Sequence, residues 1–128
     1  MFPLRDHNPT EIVPIFTVLI AGVTLAAWWL LQGAGLSQEV LFTSVCTLGL
    51  VPADVTGAVV SGRDAVCDVR SVGAASLLSS MFLHGSWGHL IGNLWFLWVF
   101  GNNIEDSMGH LRFLGFYLLT GLAAAAAQ

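Results

Sequence analysis

Long stretches without charge, separated by short polar breaks, organise the chain. Residues Ile12 to Leu31 (IVPIFTVLIAGVTLAAWWLL) carry no charge. Twenty residues of helix measure about 30 Å, the thickness of a bilayer's hydrocarbon core. The mixed-charge RDHNPTE before this run and Trp28-Trp29 at its end suit a span with an aromatic interfacial end. They do not suit a signal peptide, whose shorter apolar run follows basic residues and precedes a small-residue cleavage site. The second uncharged stretch, Ser71 to Ile104, is too long for one span and too short for two with a loop. The polar segment HGSWGH at 84–89 divides it. Ser71 to Leu83 reads as an apolar loop or short interfacial helix, and a spanning helix is expected near 86–101. Ser86 would be its N-cap and Gly101-Asn102-Asn103 its stop. A third apolar stretch, 111–127, is uncharged apart from Arg112 at its entry.

The expected fold class is therefore all-α: a polytopic membrane protein with three transmembrane helices near 12–31, 86–101 and 111–127 and no sheet. Between the first two spans, Gln32 to Val72 form an extramembrane loop with Glu39, Asp54, Asp64, Asp68, Arg63, Arg70, Pro52 and both cysteines, Cys46 and Cys67. Structureless loops of this length are uncommon in compact proteins, so short helices on the membrane surface are expected.

Composition narrows the class further. Of 128 residues, 55% are hydrophobic and 9% charged, and the net charge is -4. A soluble domain carries about 25% charge. Four arginines and no lysine cannot neutralise a phosphate track, so no nucleic-acid partner is expected. Two cysteines are too few for a disulfide scaffold. They either pair, which requires an oxidising compartment, or stay free and buried. With the N-terminus inside, Arg5 and Arg112 balance Arg63 and Arg70, so arginine count alone leaves the orientation tied.

Polar residues within a span are expensive and are functional candidates. The second span has two, His89 and Asn93, one helical turn apart on one face. Two donors near the positive end of a helix suit a developing oxyanion. Hydrogen bonding to a neighbouring helix is the competing structural role. His84 converges with His89 only if a turn, permitted by Gly85 and Gly88, precedes the helix. His110 lies about 30 Å from His89 along a helical span, so no metal site is expected from His84, His89 and His110. Ser86 lacks a G-x-S-x-G setting and reads as an N-cap rather than a nucleophile. Glu105 and Asp106 read as solvated residues favouring the next helix start, or, for Glu105, as an acceptor bracing the turn.

Residues 79–128 resemble the second and third transmembrane helices of the rhomboid intramembrane serine proteases. The H-G-x-x-x-H-L-x-x-N arrangement falls on His84, Gly85, His89, Leu90 and Asn93, and an E-x-x-x-G turn on Glu105 and Gly109. The opening FPLRDHNPT and the segment GLVPAD at 49–54 are similar to bacterial members. The resemblance implies a six-helix enzyme, sometimes with a seventh helix, that cleaves transmembrane proteins. A G-x-S-G serine on the fourth helix and a histidine on the sixth do the chemistry there. His89 and Asn93 would then form the oxyanion site, with His84 in support. It also implies a cytoplasmic N-terminus and Gly101–His110 turn, an outward Gln32–Val72 loop, and the bacterial inner membrane.

The chain departs from that pattern. It has no G-x-S-G, lacks the Trp-Arg pair many members carry in the first loop, and ends in the third helix. The expectation is thus the N-terminal half of a rhomboid domain over residues 1–128, truncated before the catalytic serine, with nucleophile and general base absent and no cofactor. Its partners would be the lipid bilayer, transmembrane substrates and the missing C-terminal half. As a serine-type endopeptidase fragment it would be inactive alone. The alternative is a non-catalytic rhomboid-like protein that binds transmembrane clients.

Overall fold

The computed structural model describes residues 9–52, 55, 67 and 72–127. Five α-helices are present among these: α1 (Ile15–Leu30), α2 (Gln38–Leu48), α3 (Ser76–Ser79), α4 (Trp87–Met108) and α5 (His110–Ala126). Single 3₁₀ turns cover Gly33–Gly35, Gly73–Ala75 and Ser80–Phe82. The described residues are thus all-helical, as expected. Arg5, Asp54, Arg63, Asp64, Asp68, Arg70 and Ser71 lie outside the described residues.

Among the described residues, no helix is both long and apolar enough to cross a membrane. α1 starts at Ile15 rather than Ile12 because Pro14 occupies its N-cap and restricts the backbone of Val13. Its 16 residues and the 17 of α5 extend about 24–26 Å. α4 has 22 residues, but its last two turns carry Asn102, Asn103, Glu105 and Asp106.

The largest departure from the expected boundaries is at the end of α4. Gly101-Asn102-Asn103 does not stop the helix, which runs on to Met108 and breaks at Gly109, φ +78°. The turn expected over Gly101–His110 is thus one residue, Gly109. Gly101 instead permits close approach. It is buried, and a Cβ there would lie 3.0 Å from Thr17 Cγ2 on α1. Asn103 Nδ2 bonds the Val99 carbonyl one turn back, which keeps its amide on the helix.

α1 and α4 run antiparallel. Thr17 meets Gly101 at one end, and at the other the Trp28 and Trp87 rings meet edge to face at 5.3 Å. Trp28 centres a small core with Ala34, Leu41 and Leu90, with Leu94 against it. α5 folds back after Gly109 onto α4, α1 and α3.

The loop between α1 and α4 is structured where described. Ser37 caps α2, its hydroxyl accepting from the Val40 N–H. The end of α2 is tied to α3 and the segment before it in three ways. Cys46 and Cys67 form a disulfide, the Val72 N–H donates to the Thr47 carbonyl at 3.0 Å, and the Ser79 hydroxyl donates to the Leu48 carbonyl.

Candidate functional site

The polar residues singled out by sequence meet where the chain enters α4. Leu83 is extended, and Ser86 (φ -163°, ψ 161°) is the N-cap, its hydroxyl accepting from the His89 N–H at 3.3 Å. Ser86 thus fills a capping role, and its oxygen faces the helix backbone. His89 and Asn93 follow on one exposed face.

His84 is buried, 3% exposed, and joins the pair. Its Nε2 lies 3.0 Å from Asn93 Nδ2, and its ring centroid 5.1 Å from that of His89. The turn that convergence requires is therefore present. Burial holds the His84 imidazole below the usual histidine range, the Phe82 carbonyl partly offsets this, and the nearby His89 lowers it further. His84 and Asn93 open onto a cavity of about 300 Å³, walled by Thr24, Met81, Leu94, Leu97 and Tyr117. The arrangement offers a neutral imidazole, a second imidazole and an amide at a helix N-terminus. That donor set can stabilise an oxyanion. Neither its described members nor Ser86 supplies a free nucleophile.

Gln32 holds this cluster, and sequence reasoning did not single it out. Fully buried, it bonds both backbone groups of His84: the His84 N–H donates to Oε1 at 2.9 Å, and Nε2 donates to the His84 carbonyl at 2.7 Å. The one signal in the sequence was a glutamine directly after an apolar run. Its partner lies 52 positions away.

The second polar cluster lies at the opposite end of α4. Pro14 offers α1 no capping side chain, and the first turn of α1 has no acid. Glu105 supplies the missing acceptor. Its Oε1 accepts from the Phe16 N–H at 2.9 Å, and its Oε2 from the Thr17 N–H and hydroxyl, both at 2.8 Å. His110 Nδ1 contacts Oε1 at 2.6 Å. Burial pushes the Glu105 pKa up, but the Phe16 and Thr17 N–H groups, His110 and the Thr17 hydroxyl outweigh it and hold the carboxyl below its usual range. Asp106 Oδ1 accepts from the N–H groups of Glu11 and Ile12, 2.8 Å each. Glu105 therefore braces another helix rather than its own turn, and neither acid is merely solvated. His110 belongs to this end and is not brought to His84 and His89.

Residues 72–128 match the sequence model of the Rhomboid domain family. Rhomboid-like protein 11, chloroplastic, of Arabidopsis thaliana is 38% identical to this chain over 47 residues. The match covers 37% of this chain and only 17% of that protein's length. No solved structure matches the chain.

Proposed function

We propose that the chain is a member of the rhomboid family, whose domain model matches residues 72–128, and that it contributes the oxyanion-stabilising part of an intramembrane serine endopeptidase acting on transmembrane proteins. Rhomboid-family proteins are multi-pass membrane proteins, and in this reading α1, α4 up to Gly101, and α5 are three spans. α1 and α5 are short for a 30 Å core. Flanking Ile12, Val13 and Leu31 lengthen the apolar run of α1, and a bilayer accommodates short spans by thinning. The relative is chloroplastic, so it lends no support to a bacterial inner membrane, and the proposal names no particular membrane.

One observation carries the reading: His84, His89 and Asn93, the three polar residues of the H-G-x-x-x-H-L-x-x-N pattern, converge beside a cavity at the N-terminus of α4. Peptide hydrolysis by a serine needs a nucleophile, a base and donors for the oxyanion. His89 and Asn93 are assigned the third role and His84 a supporting one. The serine and base are assigned to rhomboid helices beyond these 128 residues, so the chain alone is inactive. The test is co-expression with a rhomboid segment bearing the G-x-S-G and histidine helices, scored by cleavage of a transmembrane substrate. Cleavage should need both pieces and fall about 10²–10³-fold in Asn93→Ala, the usual cost of an oxyanion donor. Cleavage by the chain alone, abolished by Ser86→Ala, refutes the assignment.

A second reading is a non-catalytic protein that binds transmembrane clients. It is favoured by the commitment of Ser86, the serine nearest both histidines in sequence, to capping. Client capture without cleavage, with both pieces assembled, decides for it.

A further inference from the structure

The surroundings of His84 fix where its proton sits. Gln32 bonds both the N–H and the carbonyl of His84, so the backbone is held on both sides. The ring then spans two partners. Nδ1 is 3.3 Å from the Phe82 carbonyl, which can only accept, and Nε2 is 3.0 Å from the Asn93 side-chain amide. A neutral imidazole carries one proton. It belongs on Nδ1, facing the carbonyl, which leaves Nε2 a bare acceptor for an N–H of Asn93.

We propose that His84 is a positioning residue whose protonation state sets which end of the Asn93 amide faces outward. When His84 takes up a proton, Nε2 becomes a donor. Asn93 must then present Oδ1 to it, and the amide turns over about its terminal side-chain bond. One proton is gained from solvent and no covalent bond changes. The turn exchanges Oδ1 and Nδ2, which lie about 2 Å apart by amide geometry. Oxyanion donors act within a few tenths of an ångström of 2.7–3.1 Å, so the exchange moves the donor out of one site and into another. This consequence rests on the oxyanion reading of Asn93. The exchange itself does not.

The groups facing His84 favour the neutral form. From α4 come His89 and Asn93, from α1 Thr24, from α5 Tyr117, and from the segments between them Gln32 and the Phe82 carbonyl. Among the described residues no carboxylate lines the cavity, and a cationic His89 opposes a second positive charge. The neutral arrangement therefore holds through neutral pH and yields only in acid, below the ordinary histidine range.

The test is nuclear magnetic resonance on the 128-residue chain in detergent micelles, with ¹⁵N-labelled histidine and asparagine, titrated from pH 8 to 4.5. Asn93→Ala identifies the Asn93 amide signal. At pH 8 the His84 nitrogens should show a protonated Nδ1 and a bare Nε2. On acidification the Asn93 NH₂ signal should move with the His84 midpoint. Asn93→Ala, at an exposed position, removes the neutral-state bond and also the stronger charge-assisted bond to protonated His84, and should lower that midpoint. A protonated Nε2 at pH 8, an Asn93 signal that stays fixed while His84 titrates, or an unchanged midpoint in Asn93→Ala overturns the proposal. Activity is not read here. Failure of this coupling leaves the protease reading standing, and loss of that reading leaves the coupling standing.

Discussion

Replacing Glu105 by alanine should cost the fold about 3–5 kcal/mol, because several donors at about 1–3 kcal/mol each lose their one buried acceptor. The structure supplies the components. The side chain is fully buried and accepts the Phe16 N–H, the Thr17 N–H and the Thr17 hydroxyl, with His110 against it. Alanine leaves three donors without a partner at the start of a helix that has no cap of its own. Each buried unsatisfied group costs about 1–3 kcal/mol, and water reaching the opened site recovers part of that. Glu105→Gln keeps one acceptor oxygen and should cost less, about 1–3 kcal/mol. The assay is reversible unfolding in mixed micelles, followed by far-ultraviolet circular dichroism. A loss of 4 kcal/mol lowers the folding equilibrium constant about a thousandfold. The coupling is tested by adding Thr17→Val: the double variant should lose less than the two single losses combined, because both act on one bond network. The pH dependence has a defined sign. The folded carboxyl is held below the usual glutamate range, so its stabilisation is fully present above about pH 4.5 and is lost as pH falls through the lower folded value. Glu105→Gln should remove that acid limb. Glu105→Ala within about 0.5 kcal/mol of the parent chain, or an acid limb unchanged in Glu105→Gln, would refute the bracing role.

Further outcomes follow from other contacts. Gly101→Val drives a side chain into Thr17 and Leu97 and should destabilise the fold by about 1–3 kcal/mol, read by the same unfolding assay. Reducing the Cys46–Cys67 disulfide should cost about 3 kcal/mol. Because a stable disulfide belongs to an oxidising compartment, the freed thiols should react with a membrane-impermeant reagent in intact cells, and labelling only after permeabilisation would reverse the orientation that the resemblance implies. Gln32→Leu removes both bonds to the His84 backbone and should lower stability by about 1–3 kcal/mol while moving the His84 and Asn93 resonances.

Local pattern in the chain made the helices legible, and the failures share one physical origin. Apolar runs marked α1 and α5, Ser86 marked the start of α4, and the short helix read within 71–83 matches the helical turns from Gly73 to Phe82. Each is decided within a few residues, by periodicity or by a cap. The end of α4 was misplaced because glycine and asparagine are local stop signals. Here a distant partner overrides them: Thr17 needs the bare face of Gly101, and the start of α1 needs Glu105, 88 positions on. The site divides the same way. His84, His89 and Asn93 stood out because their spacing falls within ten residues. Gln32 did not, because a hydrogen bond across 52 positions leaves no trace in local spacing.

Both non-local tethers lie at the ends of the same helix pair. Glu105 holds the start of α1, and two residues past its end Gln32 holds the segment entering α4. Between them the α1–α4 contact is Thr17 on Gly101 and Trp28 on Trp87, with the apolar core beside it. In the proposed three-span arrangement, apolar contact supplies little drive for helices to associate, because acyl chains are as apolar as leucine. Buried hydrogen bonds to backbone groups have no such apolar substitute, and each one left unmade costs about 1–3 kcal/mol. The register of α1 on α4 is therefore set by its polar ends. It follows that loss of either tether should be felt at the other end: Glu105→Ala, remote from the His84–Asn93 pair, should disturb that pair's resonances, whereas a surface change such as Leu119→Ala on α5 should not. A Glu105→Ala chain that stays folded with the His84 and Asn93 signals unmoved would show that the two ends act independently.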